Sequence, residues 1–333
     1  MKNLWDDASA AQYKTDLALR VYSSRLLGQV ADLVMHGGGN TSVKISEKNI
    51  LGEQETILYV KGSGWDLADI EEQGFAPVWL KHLLALAKLE HLSDPNMINE
   101  LKTHTTRADA PTPSVEAILH AILPYKYVDH SHADAVISVT NTANGRQRIE
   151  AIYGADVVVI PYVMPGFDLA RVCAREWAAQ SHAETQGMIL MNHGIFSFGE
   201  TAKQSYERMI TLVSRAEGYL HEHKAWDIAL PDVARQSLAR SEIIKLRSDL
   251  AKLAGFPCIV NSCNEQLSLA FARHARLGEI SQQGPATPDH IIRSKRLPML
   301  GDDVQVYAHA YQKYFAEYAP FAKETKTILD SAP

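Results

Sequence analysis

The segment Tyr127-Val128-Asp129-His130-Ser131-His132-Ala133-Asp134 decides how we expect this chain to fold and what we expect it to bind. Its first six residues predict a short strand. Because side chains at i and i+2 lie on the same face of a strand, the imidazoles of His130 and His132 can converge on one metal ion. Asp129 and Asp134 flank these histidines and can orient their rings. An H-x-H pattern alone is weak evidence, since surface histidines produce it by chance.

A third histidine strengthens the prediction of a metal site. His193 follows the apolar run Met188–Met191, which predicts a buried strand, and it precedes Gly194. A histidine at a strand end before a glycine turn is placed to face a cleft rather than the core. Three histidines with an open fourth position are typical of a catalytic zinc site, whereas four ligands close a structural one.

A glutamate upstream is the next candidate. Glu116 lies in the first turns of a predicted helix that opens at Thr112-Pro113-Ser114. Its carboxylate can serve as a fourth metal ligand or as a general base beside the metal. The ordinary alternative is an exposed first-turn glutamate that the helix dipole stabilises, and position alone favours that alternative.

Two glycine-rich loops suggest anion binding. The loops are His36–Ser42, which joins a predicted helix to a strand, and Lys61–Gly64. Glycines let successive backbone N–H groups point inward around an anion, and Ser114 lies at a helix N-terminus, which also favours anions. Each feature alone is more simply a turn. Together with a metal site they indicate a phosphate monoester held near a Lewis acid.

The remaining pattern predicts interspersed helices and strands, followed by a mostly helical part. The predicted elements are a helix over 13–35, strands over 41–45 and 56–60, a helix over 77–89, a helix from 112, strands over 127–132, 157–160 and 188–191, and helices over 167–179, 201–223, 230–253 and 302–318. Interspersed elements are typical of a layered α/β domain. We therefore predict an α/β catalytic domain over residues 1–225 and a mostly helical C-terminal extension over residues 226–333.

Composition excludes several classes of function. The 333 residues carry 33 Lys+Arg and 39 Asp+Glu, a net charge of −6, without the basic excess typical of nucleic-acid binding. No apolar run approaches the roughly 20 residues that a membrane helix needs. The N-terminus is polar and acidic, unlike a secretory signal. We expect a cytoplasmic protein that binds neither nucleic acid nor membrane.

Taken in order, the motifs resemble those of the class II aldolase/adducin family. The ordered set is Gly38–Ser42, Lys61–Gly64, Pro113–Glu116, His130-x-His132 and His193-Gly194. The longer signatures Lys61–Leu67, Pro113–Ala117, Val128–Asp134 and Thr287–His290 are similar to the aldolase half of bifunctional rhamnulose-1-phosphate aldolase/dehydrogenase-type proteins. The similarity to the family as a whole covers about residues 15–225. The similarity to the bifunctional proteins extends to Pro333.

The resemblance implies a three-layer α/β/α class II aldolase-like domain and a homotetramer with active sites between subunits. It implies Zn²⁺ or another divalent metal. The residues it implies are His130, His132 and His193 as metal ligands, Glu116 as the catalytic acid/base, and Asn40, Ser63, Gly64 and Ser114 as contacts of the substrate phosphate. Val115 departs from the family, because relatives that act on fuculose phosphate have a phosphate-binding serine there.

The implied reaction is cleavage of a ketose 1-phosphate, of the rhamnulose or fuculose type. The products are dihydroxyacetone phosphate and a short aldehyde, formed through a metal-stabilised enediolate. Other reactions on the same scaffold stay open: sugar-phosphate epimerisation, dehydration or decarboxylation. An alternative of another class is a non-catalytic adducin-like binding module, which the presence of all three histidines and the glutamate disfavours.

In the bifunctional proteins, a dehydrogenase domain usually follows the aldolase half. No G-x-G-x-x-G follows a strand in this chain, so we expect no nicotinamide chemistry here. We expect this chain to be either a stand-alone aldolase or the aldolase half of a bifunctional protein whose two halves are separate chains. We also expect a separate dehydrogenase as a partner that removes the aldehyde. The segment Thr287–His290, followed by Arg293, Lys295 and Arg296, is either a solvated polar loop or a phosphate contact.

Overall fold

A computed structural model describes residues 1–233, 239–287, 290, 294–322 and 325–333. The chain separates into two compact units. The first is Met1–Trp226 with a short segment that begins at Ala286, and the second comprises Asp227–Pro285 and His290–Pro333. Of the described residues, none lies in a helix that is long and apolar enough to cross a membrane.

The first unit contains nine described α-helices: α1 (Asp7–Ala10), α2 (Asp16–Gly28), α3 (Leu80–Leu86), α4 (Asp94–Thr103), α5 (Ala117–Ile122), α6 (Asp134–Thr140), α7 (Gly145–Tyr153), α8 (Phe167–Gln180) and α9 (Ala202–Glu222). The described helices of the second unit are α10 (Arg240–Ala254), α11 (Gln266–Ala272), α12 (Leu277–Ile280) and α13 (Val304–Tyr318). Helices are therefore the only regular secondary structure among the described residues of the second unit, which confirms the predicted helical character of the C-terminal part.

Seven strands form one sheet in the first unit: β1 (Asn40–Lys48), β2 (Gln54–Lys61), β3 (Phe75–Trp79), β4 (Tyr127–Ser131), β5 (Val157–Ile160), β6 (Gly187–Leu190) and β7 (Gly194–Gly199). Their order across the sheet is β3-β2-β1-β4-β7-β6-β5. Strands β5 and β6 are parallel, and every other neighbouring pair is antiparallel. Strand β4 therefore lies at the centre of the sheet.

Helices cover both faces of this sheet, and the two-residue period of the strands decides which side chain meets which layer. On β5, Val157 and Val159 pack with α6, α7 and α9. Val158 and Ile160 point the other way and pack with α5 and α8. The predicted three-layer α/β/α fold is confirmed.

The prediction of one helix over 77–89 is wrong in its first part. Residues Phe75–Trp79 form strand β3, and helix α3 begins only at Leu80. Pro77 lacks a backbone N–H, which restricts proline to sheet edges, and β3 is an edge strand. The Pro77 carbonyl instead accepts a hydrogen bond from the Thr106 backbone N–H at 2.9 Å.

The helix predicted from Thr112 begins later, at Ala117. Pro113 pairs with Gly62 in an isolated bridge, and the Ser114 backbone N–H donates to the Lys61 carbonyl at 3.2 Å. These contacts hold the segment against the end of β2 in an extended form. Glu116 consequently lies at the N-cap of α5 rather than inside a helix.

Other deviations concern the helix predicted over 230–253 and an unpredicted strand. The structure has α10 at Arg240–Ala254, and residues 234–238 lie outside the described residues. The sequence did not predict strand β7, because its residues, Gly-Ile-Phe-Ser-Phe-Gly, begin and end with glycine.

Strand β5 forms the other edge of the sheet. There, the Gln180 side-chain oxygen accepts a hydrogen bond from the Val159 backbone N–H at 3.2 Å.

Of the C-terminal polar segment, Pro288, Asp289 and Arg293 lie outside the described residues. Lys295 Nζ lies 4.4 Å from the ring centroid of Tyr311, and the Arg296 guanidinium lies 4.8 Å from that of Tyr314. Both cations thus pack on tyrosines of α13 within the second unit.

A buried ion pair joins the central strand to the helix layer. Arg20 on α2 and Asp129 on β4 are both fully buried, and a guanidinium nitrogen lies 2.5 Å from Asp129 Oδ1. Ser205 on α9 donates to Asp129 Oδ2 at 2.5 Å. Burial raises the pKa of Asp129, and the Arg20 charge and the Ser205 hydroxyl oppose that rise.

We expect Arg20→Met to reduce the free energy of unfolding by about 3–5 kcal/mol, because it leaves the Asp129 charge buried without its partner. Urea unfolding followed by circular dichroism measures this loss. The control is Lys203→Ala, which breaks an exposed pair with Asp7 and should leave the urea midpoint nearly unchanged. A midpoint for Arg20→Met equal to that of the control would contradict the prediction.

Candidate metal centre

Three histidines from separate positions in the chain meet at one end of the central strands. His130 lies in β4, His132 follows that strand, and His193 lies in the turn between β6 and β7. Because β4 and β7 pair antiparallel with Ser131 opposite Ile195, the start of β7 lies beside the end of β4. The sheet register therefore brings His193 to the other two histidines.

The three imidazoles are close enough to share one ion. One nitrogen from each ring can be chosen so that all three lie within 4.8 Å of one another, and all three residues are buried. The Nε2 atoms of His130 and His132 are 3.0 Å apart. Their ring centroids lie 4.7 Å apart, and the centroid of His193 lies 5.1 Å from that of His130 and 5.2 Å from that of His132.

Backbone and aromatic contacts fix the orientation of His130. Its Nδ1 lies 3.0 Å from the Ile195 carbonyl oxygen, which can only accept a hydrogen bond. The proton is therefore assigned to Nδ1, and the lone pair of Nε2 is directed toward the other two histidines. Phe196 stacks on the ring with centroids 4.0 Å apart and planes 14° apart. The ring is thus held in the tautomer that binds a metal.

Glu116 joins this group from the N-terminus of α5. Its Oε1 lies 3.5 Å from Nε2 of His130 and 3.5 Å from Nε2 of His193. This buried oxygen accepts no hydrogen bond from any described residue, and a buried carboxylate oxygen without a donor is costly. A cation among the three nitrogens would satisfy it.

The donor set fits a divalent metal ion. Two Nε2 atoms 3.0 Å apart, one of which carries a lone pair, need a proton or a cation between them. Imidazole nitrogens with a nearby carboxylate suit Zn²⁺ and similar transition metals, and three protein nitrogens leave a position open for substrate.

The residues that the sequence assigned to phosphate binding divide into two pairs. Asn40 lies opposite His130 in the β1–β4 register, and its Nδ2 donates to Ser114 Oγ. Ser114 Oγ also accepts from the Glu116 backbone N–H at 3.2 Å. These contacts place Asn40 and Ser114 directly beside Glu116.

Ser63 and Gly64 occupy the loop that follows β2, and both are exposed. The Ser63 backbone N–H donates to the Thr112 carbonyl at 2.8 Å, so this loop runs alongside the segment that carries Ser114. Gly64 has a φ of +90°, which favours glycine. Val115 is 42% exposed, and its side chain offers no hydrogen-bond donor.

Sequence reasoning missed the tight packing at Gly194. A Cβ atom there would lie 2.4 Å from the Ser131 carbonyl oxygen, 2.9 Å from Cδ2 of His132 and 3.0 Å from Cε1 of His130. The glycine therefore lets the rings of His130 and His132 lie against the backbone of β7. The sequence signal was the His193-Gly194 pair, whose meaning depends on the pairing of β4 with β7.

A fourth buried histidine lies behind Phe196. His120 is fully buried, and its ring meets that of Phe196 edge to face with centroids 5.4 Å apart. Ser42 Oγ lies 2.8 Å from its Nδ1. Burial lowers the pKa of His120 well below its ordinary value, and the nearby His130, Lys44 and Arg20 act in the same direction. His120 is thus a neutral packing residue of the core.

Comparisons with known proteins identify the family to which the chain is similar. A family model described as the class II aldolase and adducin N-terminal domain matches residues 20–220, and a model described as the second domain of class II aldolases matches residues 237–333. The solved N-terminal class II aldolase domain of a conserved protein from Thermoplasma acidophilum is 42% identical, with a TM-score of 0.61. That similarity covers 66% of this chain and 99% of that one.

Two further proteins are similar over different extents. The uncharacterized oxidoreductase YuxG of Bacillus subtilis (strain 168) is 32% identical over 358 residues, which cover 100% of this chain and 51% of that protein. This chain thus spans about half the length of that curated relative. The L-fuculose-1-phosphate aldolase of Thermus thermophilus is 19% identical with a TM-score of 0.40, over 64% of this chain and 98% of that one.

We expect Gly194→Ala to weaken divalent-metal binding by about tenfold or more, because the added methyl group must displace the His130 and His132 rings. Isothermal titration of the metal-free protein with Zn²⁺ measures the affinity of this site. Gly218→Ala is the matched control, since a Cβ at that helical position meets nothing within 4 Å. Equal affinities for the two variants would contradict the predicted crowding.

Proposed function

This chain belongs to the class II aldolase and adducin family, and we propose that it is a zinc-dependent aldolase that cleaves a ketose 1-phosphate. The observation that carries this proposal is the convergence of His130, His132 and His193 with the Glu116 carboxylate, whose Oε1 is buried. A binding module that had lost its chemistry would have no need of a buried carboxylate beside three imidazoles, so the adducin-like alternative is disfavoured.

The proposed reaction breaks the C3–C4 bond of the sugar phosphate. The C4 hydroxyl loses its proton and C4 becomes the carbonyl carbon of a short aldehyde, while C3 gains a proton in dihydroxyacetone phosphate. A divalent ion, when bound, supplies a Lewis acid that stabilises the negative charge developing on the substrate oxygens. His130, His132 and His193 would hold that ion, and the Ile195 carbonyl keeps His130 in the tautomer required.

Glu116 is the proposed acid/base. Its Oε1 faces the same space as Nε2 of His130 and His193, so a carboxyl proton there lies beside the metal-binding nitrogens. We propose that Glu116 delivers the proton to C3 in cleavage and removes it in condensation. The Ser114 hydroxyl accepts from the Glu116 backbone N–H, which fixes the residue at the start of α5.

Asn40, Ser63, Gly64 and Ser114 are the proposed phosphate contacts. The direct contact between Asn40 and Ser114 beside Glu116 supports two of them, and the adjoining exposed loop supports Ser63 and Gly64. Without a donor at Val115, the phosphate would depend on these four residues. The proposed substrates are of the rhamnulose or fuculose 1-phosphate type.

We further propose that residues 1–225 form the catalytic domain of a cytoplasmic homotetramer and that the aldehyde product passes to a dehydrogenase. Support for the tetramer comes from the family resemblance alone. Support for the dehydrogenase comes from YuxG, which is named an oxidoreductase and is about twice as long as this chain.

Glu116→Gln should retain the metal and lose about 10²–10⁴-fold in the rate of cleavage, because the amide has nearly the same shape but cannot transfer the proton. The assay is the release of dihydroxyacetone phosphate from rhamnulose and fuculose 1-phosphates. Zinc content, measured alongside, separates a lost proton transfer from a lost metal. Wild-type turnover in Glu116→Gln would rule out this acid/base role.

The identity of the product distinguishes aldol cleavage from the other reactions catalysed on this scaffold. An isomeric ketose phosphate from the same panel of substrates would indicate an epimerase, and loss of water or of carbon dioxide would indicate a dehydratase or a decarboxylase. A wild-type protein that binds no divalent metal would favour the adducin-like module.

A further inference from the structure

One face of strand β1 is polar along its first half. The side chains of Asn40, Ser42 and Lys44 alternate along the strand and therefore lie on the same face. Asn40 contacts Ser114 at the start of the segment that contains α5. Ser42 Oγ lies 2.8 Å from Nδ1 of His120, which is on α5 itself. Two of the three side chains thus contact the start and the middle of one segment.

Lys44 contacts the end of the same segment. Its Nζ donates to three backbone carbonyls, at 3.0 Å to His120, 2.6 Å to Leu123 and 2.8 Å to Tyr125. An ammonium group has three N–H donors, and here each of them has an acceptor. The last carbonyls of a helix have no partner within the helix. Lys44 therefore supplies the donors that the end of α5 lacks.

The other contacts of α5 are apolar. Ala117, Ile118 and Ala121 pack among side chains of β2, β3 and α3, and Leu119 packs among those of β5 and α8. Apolar contacts are non-directional, and a helix of six residues is too short to be stable on its own. The directional hydrogen bonds from β1 therefore determine where α5 begins and ends.

The position of the Glu116 carboxylate depends on the position of α5. Glu116 is the N-cap residue of this helix, and its side chain makes no capping hydrogen bond. Its Oε1 lies 3.5 Å from Nε2 of His130 and 3.5 Å from Nε2 of His193. These histidines belong to the sheet and Glu116 to the helix layer, so a shift of α5 along the sheet changes both distances. A misplacement of about 1 Å can cost about 10²-fold in rate.

We propose that Lys44 and Ser42 are positioning residues for Glu116, because they hold α5 against β1 and thereby keep the carboxylate beside His130 and His193. Lys44, with three hydrogen bonds, contributes most. The inference rests on the proposed function, in which Glu116 transfers the proton. The competing explanation is that both residues contribute to folding stability alone.

Steady-state kinetics of the full chain test this role. Lys44→Met removes the three donors and keeps a long side chain. It should lower kcat for rhamnulose or fuculose 1-phosphate by about 10–10²-fold, more than it raises KM, and leave the zinc content of the protein unchanged. Lys44→Arg keeps a cationic donor and should recover part of the loss. Lys48→Met is the matched control, since Lys48 is exposed on the same strand, and it should keep the wild-type kcat.

A double variant shows whether Lys44 acts through Glu116. In the Glu116→Gln background, Lys44→Met should cause no further loss of kcat, because the group that Lys44 positions no longer transfers a proton. An equal loss in both backgrounds, or a wild-type kcat in folded Lys44→Met, would overturn the proposal. A thermal melt verifies that each variant is folded at the temperature of the assay.

Ser42→Ala provides the same test if Lys44→Met does not fold. It removes the contact between β1 and the middle of α5, so it should lower kcat in the wild-type background and not in Glu116→Gln. Equal losses in the two backgrounds would overturn the proposal. A wild type that cleaves neither sugar phosphate would overturn the proposed function and this role together. A wild type that cleaves, with a kcat that does not depend on Lys44 or Ser42, would overturn the positioning role alone.

Discussion

The central strand β4 must hold two buried polar side chains, a carboxylate on one face and an imidazole on the other. Asp129 points toward the α2 and α9 layer, where Arg20 and Ser205 hold it. His130, the next residue, points to the other face and is fixed by the Ile195 carbonyl and the Phe196 ring. A shift of one residue in register would exchange the two side chains and leave each without its partners. The ion pair on one face therefore fixes the position of His130, the proposed metal ligand, on the other.

Local rules were enough to predict the parts of the site that depend on neighbours in sequence. The H-x-H spacing follows from the two-residue period of a strand, and a histidine before a glycine turn follows from short-range geometry. The N-cap position of Glu116 was not predictable, because it depends on the contact of Ser114 with Lys61, which is distant in sequence. Strand β3 was missed because proline in a strand is tolerated only at an edge, and a single sequence does not reveal which strand is the edge.

The buried histidine cluster depends on the register of the sheet. The catalytic candidate is buried, and sheet register brings its ligands together from strands whose order is not that of the chain. The cluster therefore requires that β7 pairs with both β4 and β6. Fold alone does not determine chemistry, so the proposed catalytic role depends on Glu116 and not on the fold.

The two outer strands of the sheet have a consequence for self-association. Pro77 removes a donor from β3, and residues His104–Thr106 occupy its outer side. On β5, the Gln180 amide takes the place of a neighbouring strand at Val159. Unpaired strand edges are the templates on which other chains add and aggregate. With part of each margin occupied in this way, the two sheet borders offer another chain fewer free backbone groups on which to add a strand.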